Sequence, residues 1–298
     1  MISTRSTGVA LAGATALISG VAVYVNSNGV AAYGDATAYT TAKNAMAAML
    51  ILAAFLAARP AGARLTRPAR ARQWWALAFV AVFGGAIPFV LFFQGLASTA
   101  STQAAFVHKT LIVWVALLAI VALKERLSWW HLGAIGLLVL AQWGLAGDVG
   151  LVADQGTMLV AAATLMWAVE VVVSKRLLGS MTPWTLSLTR MVGGSVALLA
   201  WSGATSSLGN VIPSTAGQWA WVAVTGALLA GYVLTWHQAL ARAQAVDVTA
   251  VLVLGAVVTA ALAGALDGAA LAAQLPWLLL LAAGGLIFLI PARRRVPT

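Results

Sequence analysis

Long apolar runs alternate along this chain with short polar connections. Windows of about 20 apolar residues, the length that crosses a bilayer as a helix, fall near 8–27, 36–57, 74–96, 101–122, 128–146, 155–175, 183–203, 217–240, 246–266 and 275–291. The pattern predicts an all-α membrane protein with ten transmembrane helices. Most connections are too short for a soluble domain, so consecutive helices are expected to run antiparallel. Gly8–Val25 behind Arg5 looks like a signal sequence, but it is longer than the usual apolar core of one and fits better as an uncleaved first span.

The polar residues set the direction of these spans. Arg5; Arg59, Arg64, Arg67, Arg70 and Arg72; Lys124 and Arg126; Lys175 and Arg176; Arg242; and Arg293, Arg294 and Arg295 occupy alternate connections, beginning with the N-terminus. These are 14 of the 17 cations, and the intervening connections carry Asp35, Asp148, Asp154 and Asp267 instead. Cationic connections stay in the cytoplasm, so both termini are predicted there, in a multi-pass protein of a bacterial inner membrane. Tryptophans give a second reading of the same boundaries. Trp74, Trp75, Trp129, Trp130 and Trp184 mark inner helix ends, and Trp143, Trp201, Trp219, Trp221 and Trp277 mark outer ones. Trp114, Trp167 and Trp236 lie inside spans and need another explanation.

A loose internal repeat relates the two halves. Phe92–Ala119 aligns with Trp236–Ala263 at an offset of 144, pairing Gln94 with Gln238, Leu96 with Leu240, Ala97 with Ala241 and Val107 with Val251 among eight identities in 28 positions. Five helices per half give the two copies opposite orientations. The expected architecture is two inverted five-helix repeats, residues 1–148 and 149–298, around a central cavity. Inverted repeats of this kind point to transporters.

Composition narrows the function further. The 298 residues are 62% hydrophobic and 8% charged, with a mean hydropathy of +0.96, which no soluble domain of this size tolerates. The net charge of +10 sits in loops between apolar runs rather than on one polar face, which argues against a nucleic-acid partner. With no cysteine there is neither a disulfide nor a thiolate metal site. The chain holds no GxSxG, HExxH or Walker A motif, so neither an enzyme nor an ATP-driven pump is expected, and no cofactor or metal is implied.

Candidate chemistry is carried by the few ionisable residues inside spans. A cation at the centre of a membrane helix costs roughly 2.5–3.5 kcal/mol, so Lys43, Lys109 and Arg190 are expected to face the bundle interior. Glu170 and Arg190 lie at comparable depth in adjacent helices, placed either to form a structural ion pair or to serve gating or proton coupling. If they pair, Lys43 and Lys109 remain as surplus positive charge, which suits a substrate carrying a carboxylate or phosphate. Aromatics sit nearby: Tyr39 one turn from Lys43, Trp167 one turn from Glu170, Trp114 one turn from Thr110, and Tyr232 one turn from Trp236. They serve either as packing or as the wall of a cavity for a carboxylate joined to a flat apolar group. His108 and His237 either bond to neighbouring helices or titrate during gating.

Three features together carry a resemblance to a known family. They are a basic residue in helices 2 and 7 (Lys43, Arg190), the corner QGLASTASTQAAFV with its echo QALARAQAVDVTAVL, and the junction LKERLSWWHLGAIGLLVL. The chain resembles the ten-helix EamA-type exporters of the drug/metabolite transporter superfamily, and its Trp-rich pattern is similar to the aromatic amino-acid exporters among them. The resemblance implies alternating access around a central cavity. It implies export of amino acids, aromatic or hydrophobic, by a monomer in the bilayer with no obligate protein partner. The assignment gives substrate binding to Lys43, Tyr39, Lys109, Trp114, Trp167, Tyr232 and Trp236, and gating or coupling to Glu170, Arg190, His108 and His237. A carrier of phosphorylated or nucleotide-like metabolites would use the same cations, and a membrane-embedded enzyme is the remote alternative.

Overall fold

The computed structural model describes residues 4–99, 101–146, 154–205, 207–267 and 271–288. Among these there are helices and turns and no strand. Asp148 and Arg293–Arg295, which figure in the charge pattern, lie outside the described residues.

In chain order the helices are α1 (Thr4–Tyr33), α2 (Ala36–Ala58), α3 (Ala71–Phe79), α4 (Ile87–Ser98), α5 (Ser101–Lys109), α6 (Leu111–Leu118), α7 (Trp129–Ala146), α8 (Gln155–Leu177), α9 (Pro183–Leu188), α10 (Gly194–Ala204), α11 (Leu208–Val211), α12 (Ala216–Arg242), α13 (Ala245–Leu252), α14 (Gly255–Asp267) and α15 (Leu271–Ile287). Three π-helical turns interrupt the series: π1 (Val80–Gly84), π2 (Ala119–Leu123) and π3 (Thr189–Gly193). Among the described residues, seven helical stretches are long and apolar enough to cross a membrane: Thr4–Tyr33, Ala36–Ala58, Ala71–Gly95, Phe106–Leu123, Gln155–Leu177, Ala216–Arg242 and Ala245–Leu266. Three further windows of the sequence hold shorter or interrupted helices. Trp129–Leu145 and Ala272–Ile287 are apolar but shorter, and the window at 183–203 is divided into α9, π3 and α10.

Local chemistry explains where the helices begin. Asp35 accepts from the backbone N–H groups of Thr37 and Ala38 at 2.9 and 3.0 Å, and Asp154 accepts from Thr157 N–H at 2.7 Å. Each carboxylate satisfies donors that a helix start leaves free. Pro183 at the first turn of α9 follows Thr182, whose hydroxyl accepts from Thr185 N–H at 3.3 Å. π2 ends on Lys124, the one non-glycine residue with positive φ among those described, at φ 56°.

Helices from the two halves of the chain pack against each other. α1 lies along α12, and α8 lies along α4. Each helix runs beside the helix that feeds the repeated corner of the other half. Gly8 of α1 lies against Arg242 and Ala243 at one corner, while Gly156 of α8 lies against Gly95 and Thr99 at the other, and a Cβ at either glycine would clash. α7 packs on α15.

Cationic connections gather at one end of the bundle. Arg5 pairs with Asp247 at 3.0 Å and donates to Phe288 O at 3.2 Å. Glu125 accepts from the N–H groups of Ala245 and Val246. Lys175 donates to Leu240 O and Ala243 O, both at 2.6 Å, and Arg176 to Ala122 O at 2.5 Å. The start of α1, the corner between α12 and α13, the end of α8 and the connection after π2 are thereby tied together. At the opposite end Tyr33 donates to Val211 O, and Thr99 donates to Asp154.

Candidate functional site

The site begins with a polar cluster where α1, α2 and α12 meet. Tyr39 and Lys43 stand one turn apart on α2 and are both buried, at 0% and 3% exposure. The Tyr39 hydroxyl lies 2.7 Å from Asn26 Oδ1 and 2.9 Å from Thr225 Oγ1. Lys43 Nζ donates to the same Asn26 oxygen at 3.3 Å. That is one acceptor for three ammonium donors. Three rings also lie near the ammonium: the centroids of Phe93, Tyr39 and Phe89 are 4.4, 5.1 and 5.8 Å away. Ring faces lend cation–π stabilisation of roughly 0.5–2 kcal/mol and no neutralising charge.

Lys43 opens onto a cavity of about 170 Å³. One wall is aromatic. Phe92, His108 and Trp167 meet pairwise edge-on or tilted with centroids 5.1 to 5.7 Å apart, and Phe89 meets Trp167 edge-on at 5.3 Å. Tyr232 and Trp236 stack on the other side at 5.9 Å and 10°. The Trp167 indole is held by a hydrogen bond to Gly84 O at 3.2 Å. Trp236, 1% exposed, has no hydrogen-bond partner for Nε1 among the described residues.

An ion pair forms the remaining wall. Arg190 Nη1 stands 3.3 Å from Glu170 Oε2, and both side chains are buried. Ser174 donates to Glu170 Oε1 at 2.5 Å, whereas Oε2 accepts no well-aligned hydrogen bond. The backbone geometry here depends on two crossing π turns. Arg190 lies in π3, which packs on π1, and a Cβ at Gly85 would collide with the Arg190 carbonyl and lie 3.0 Å from Gly194 Cα. Asn44 donates to Gly85 O at 3.2 Å, satisfying a carbonyl that the break in the helix leaves free. π turns inside helices frequently mark functional sites.

Of the sequence-predicted residues, Lys43, Trp167, Tyr232, Trp236, Glu170, Arg190 and His108 line this one cavity. Tyr39 supports Lys43 from behind. Three others lie elsewhere. Lys109 lines a separate compartment of about 80 Å³. His237 is buried away from the cavity, 3.0 Å from Ser187 Oγ. Trp114 is 39% exposed and bonds to its own helix through Thr110 Oγ1 at 3.2 Å. Trp114 stands one turn after Thr110, where the helix breaks between α5 and α6, so helical spacing does not carry its direction across from α5. Sequence reasoning passed over Asn26 and the Phe89, Phe92 and Phe93 set on α4. The i, i+3, i+4 spacing of the phenylalanines was the available signal. No group of three or more His, Cys, Asp or Glu that could hold a metal occurs among the described residues.

The EamA-like transporter family model matches residues 6–146 and again 154–290. Twenty-eight solved chains match the structure. One, described only as "Crystal structure of protein", aligns with a TM-score of 0.76 at 18% identity, covering 98% of this chain and 100% of that one. At that identity the likeness concerns the fold alone. A search of curated proteins returned no match.

Proposed function

Because the chain belongs to the EamA-like transporter family, a family of membrane transporters, we propose that it exports amino acids, aromatic or hydrophobic ones, by alternating access. The observation that carries this reading is the state of Lys43. The residue is 3% exposed, and its ammonium has one hydrogen bond, lies near three rings and has no carboxylate partner among the described residues. A buried charge left uncompensated is costly, and a substrate carboxylate entering the cavity would compensate it with charge-assisted hydrogen bonds. Trp167, Tyr232 and Trp236 line the cavity and offer a flat apolar group its contacts.

The same charge balance favours a carboxylate over a phosphorylated metabolite. Glu170 and Arg190 neutralise each other, leaving one surplus positive charge on this cavity, whereas a phosphate monoester carries close to two negative charges at neutral pH. In this reading ten spans form two inverted repeats, 1–148 and 149–298, in the inner membrane of a bacterium, with the cationic end in the cytoplasm. The protein works as a monomer, and the resemblance to the aromatic amino-acid exporter YddG extends to the substrate class.

Uptake by purified protein in liposomes tests this. Labelled Trp, Phe, Met, Glu and a sugar phosphate are offered with and without a pH gradient. Saturable uptake of Trp, Phe and Met is the expected result. Movement of the sugar phosphate alone would transfer the site to the rival carrier reading.

A further inference from the structure

Lys109, expected beside Lys43, instead lines a compartment of its own. Its walls come from α1, the α5–α6 junction and the α13–α14 junction, with Ser19, His108, Thr249 and Thr259 as the polar neighbours. This compartment shares Ser19, Val23, His108, Leu111 and Leu252 with the main cavity, so the two are adjacent and His108 stands in the wall between them.

The position is set by the inverted repeat. At the offset of 144 that aligns the halves, Lys109 corresponds to Val253, and both line this compartment. α5 ends at Lys109 and α6 begins at Leu111; α13 ends at Leu252 and α14 begins at Gly255. Two equivalent helices therefore break at equivalent points, and both breaks open onto one small space. α1 comes close there: a Cβ on Gly255 would lie 2.7 Å from Ala16 O, and one on Gly20 would collide with Gly255 O. Irregular backbone at membrane depth is tolerated where it lines a cavity, and the starts of half-helices present N–H groups to anions. Here a lysine is added on the break itself, with no acidic side chain lining the compartment and no ion pair to Lys109 among the described residues.

We propose that this compartment is a second anion site, with Lys109 as its charge, which takes a small monoanion: the carboxylate head of a transported molecule in transit or a free halide-sized ion. At about 80 Å³ the space is half that of the main cavity and suits the head group rather than an aromatic side chain. The site is distinct from the one at Lys43, and its existence does not depend on which substrate is exported.

Iodide is the probe. Full-length protein is purified in detergent with sulfate, a dianion outside the proposed ligand class, replacing chloride, and bound radiolabelled iodide is counted by equilibrium dialysis, with folding checked by thermal melting. Two iodides per chain are expected for the wild type and for Lys109→Arg, and one for Lys109→Gln. An unchanged iodide count in a folded Lys109→Gln protein, or no iodide bound by the wild type, would overturn the proposal. Saturating tryptophan that removes both iodides from the wild type identifies the transported carboxylate as the occupant; if one Lys109-dependent iodide persists, the occupant is the free ion. Absence of tryptophan binding while the Lys109-dependent iodide remains would count against the amino-acid reading and leave the second site standing.

Discussion

Lys43 Nζ reaches Asn26 Oδ1 at 3.3 Å, and that carboxamide is the one hydrogen-bond acceptor it has among the described residues. The first span thus supplies the single polar contact of the cation on the second. Replacing Asn26 with Ala removes that acceptor and a support of the Tyr39 hydroxyl without altering charge. Weakened substrate affinity is expected, roughly tenfold for one lost hydrogen bond to a charged group, with smaller effects on maximal rate. Direct binding measurements on the purified variant would check it. Unchanged affinity would mean that Asn26 does not position the ammonium.

The buried pair of Glu170 and Arg190 makes a prediction about non-additivity. Removing one partner strands the other charge, at a cost of roughly 3–5 kcal/mol. Glu170→Gln and Arg190→Gln should each melt well below the wild type, whereas the double variant should recover a large part of the loss. Additive losses in a double-mutant cycle would contradict a direct coupling between them.

Gly85 sits where π1 meets π3, against the Arg190 carbonyl. Gly85→Ala inserts a methyl group into backbone, and overpacking of this kind costs about 1–3 kcal/mol. A lowered melting temperature is expected together with impaired transport, because the displaced element carries Arg190. Gly13→Ala is the control, since a Cβ there meets nothing within 4 Å.

Contacts at the cationic end tie α1 and the connection after π2 to the start of α13. Asp247, with 2% side-chain exposure, binds Arg5 and lies at the start of α13, whose first N–H groups donate to Glu125. Asp247→Asn should loosen this end. The native chain has no cysteine, so Ser19→Cys places a single thiol in the cavity wall. In inverted vesicles an impermeant thiol reagent should label Ser19→Cys slowly, and several times faster once Asp247→Asn is added. Equal rates would show that the ion pair does not restrict entry.

Outside the membrane, Asp154 provides a pH-dependent contribution. The Thr157 N–H, helped by the Thr157 and Thr99 hydroxyls, holds its carboxyl below the ordinary carboxylate range. A carboxyl lowered in the folded state stabilises above its unfolded value of about 3.9. That contribution is lost as pH falls through the lower, folded value. Asp154→Ala should therefore melt below the wild type at pH 7, with the gap closing as the medium becomes strongly acidic. A gap independent of pH would rule out the charge as its source.

What could be read from the sequence follows from what the bilayer penalises. Apolar windows and alternating cationic loops are legible because lipid enforces both, and the windows locate the helices to within a few residues. Lys43, Glu170 and Arg190 stood out because charge at that depth is expensive, and the two that share a depth do pair. Phe89, Phe92 and Phe93 did not stand out, because a ring in an apolar run is chemically the same whether it packs or lines a cavity. Lys109 and Trp114 lie off the main cavity, and nothing in the local sequence announces it: the break at Thr110 has no glycine or proline, and periodicity does not carry direction across it. π1 and π3 were equally silent, although the paired glycines at 84–85 and 193–194 now have a steric role where those turns cross.

The central claim is that Lys43 binds a carboxylate. Tryptophan uptake into liposomes should be compared for the wild type, Lys43→Arg and Lys43→Gln, with indolepropionate and tryptamine as competitors. The account predicts that Lys43→Gln, verified as folded, loses at least tenfold in affinity while Lys43→Arg retains part of it. It also predicts that indolepropionate competes with the wild type better than tryptamine does. Full affinity in Lys43→Gln, or stronger competition by tryptamine, would contradict it.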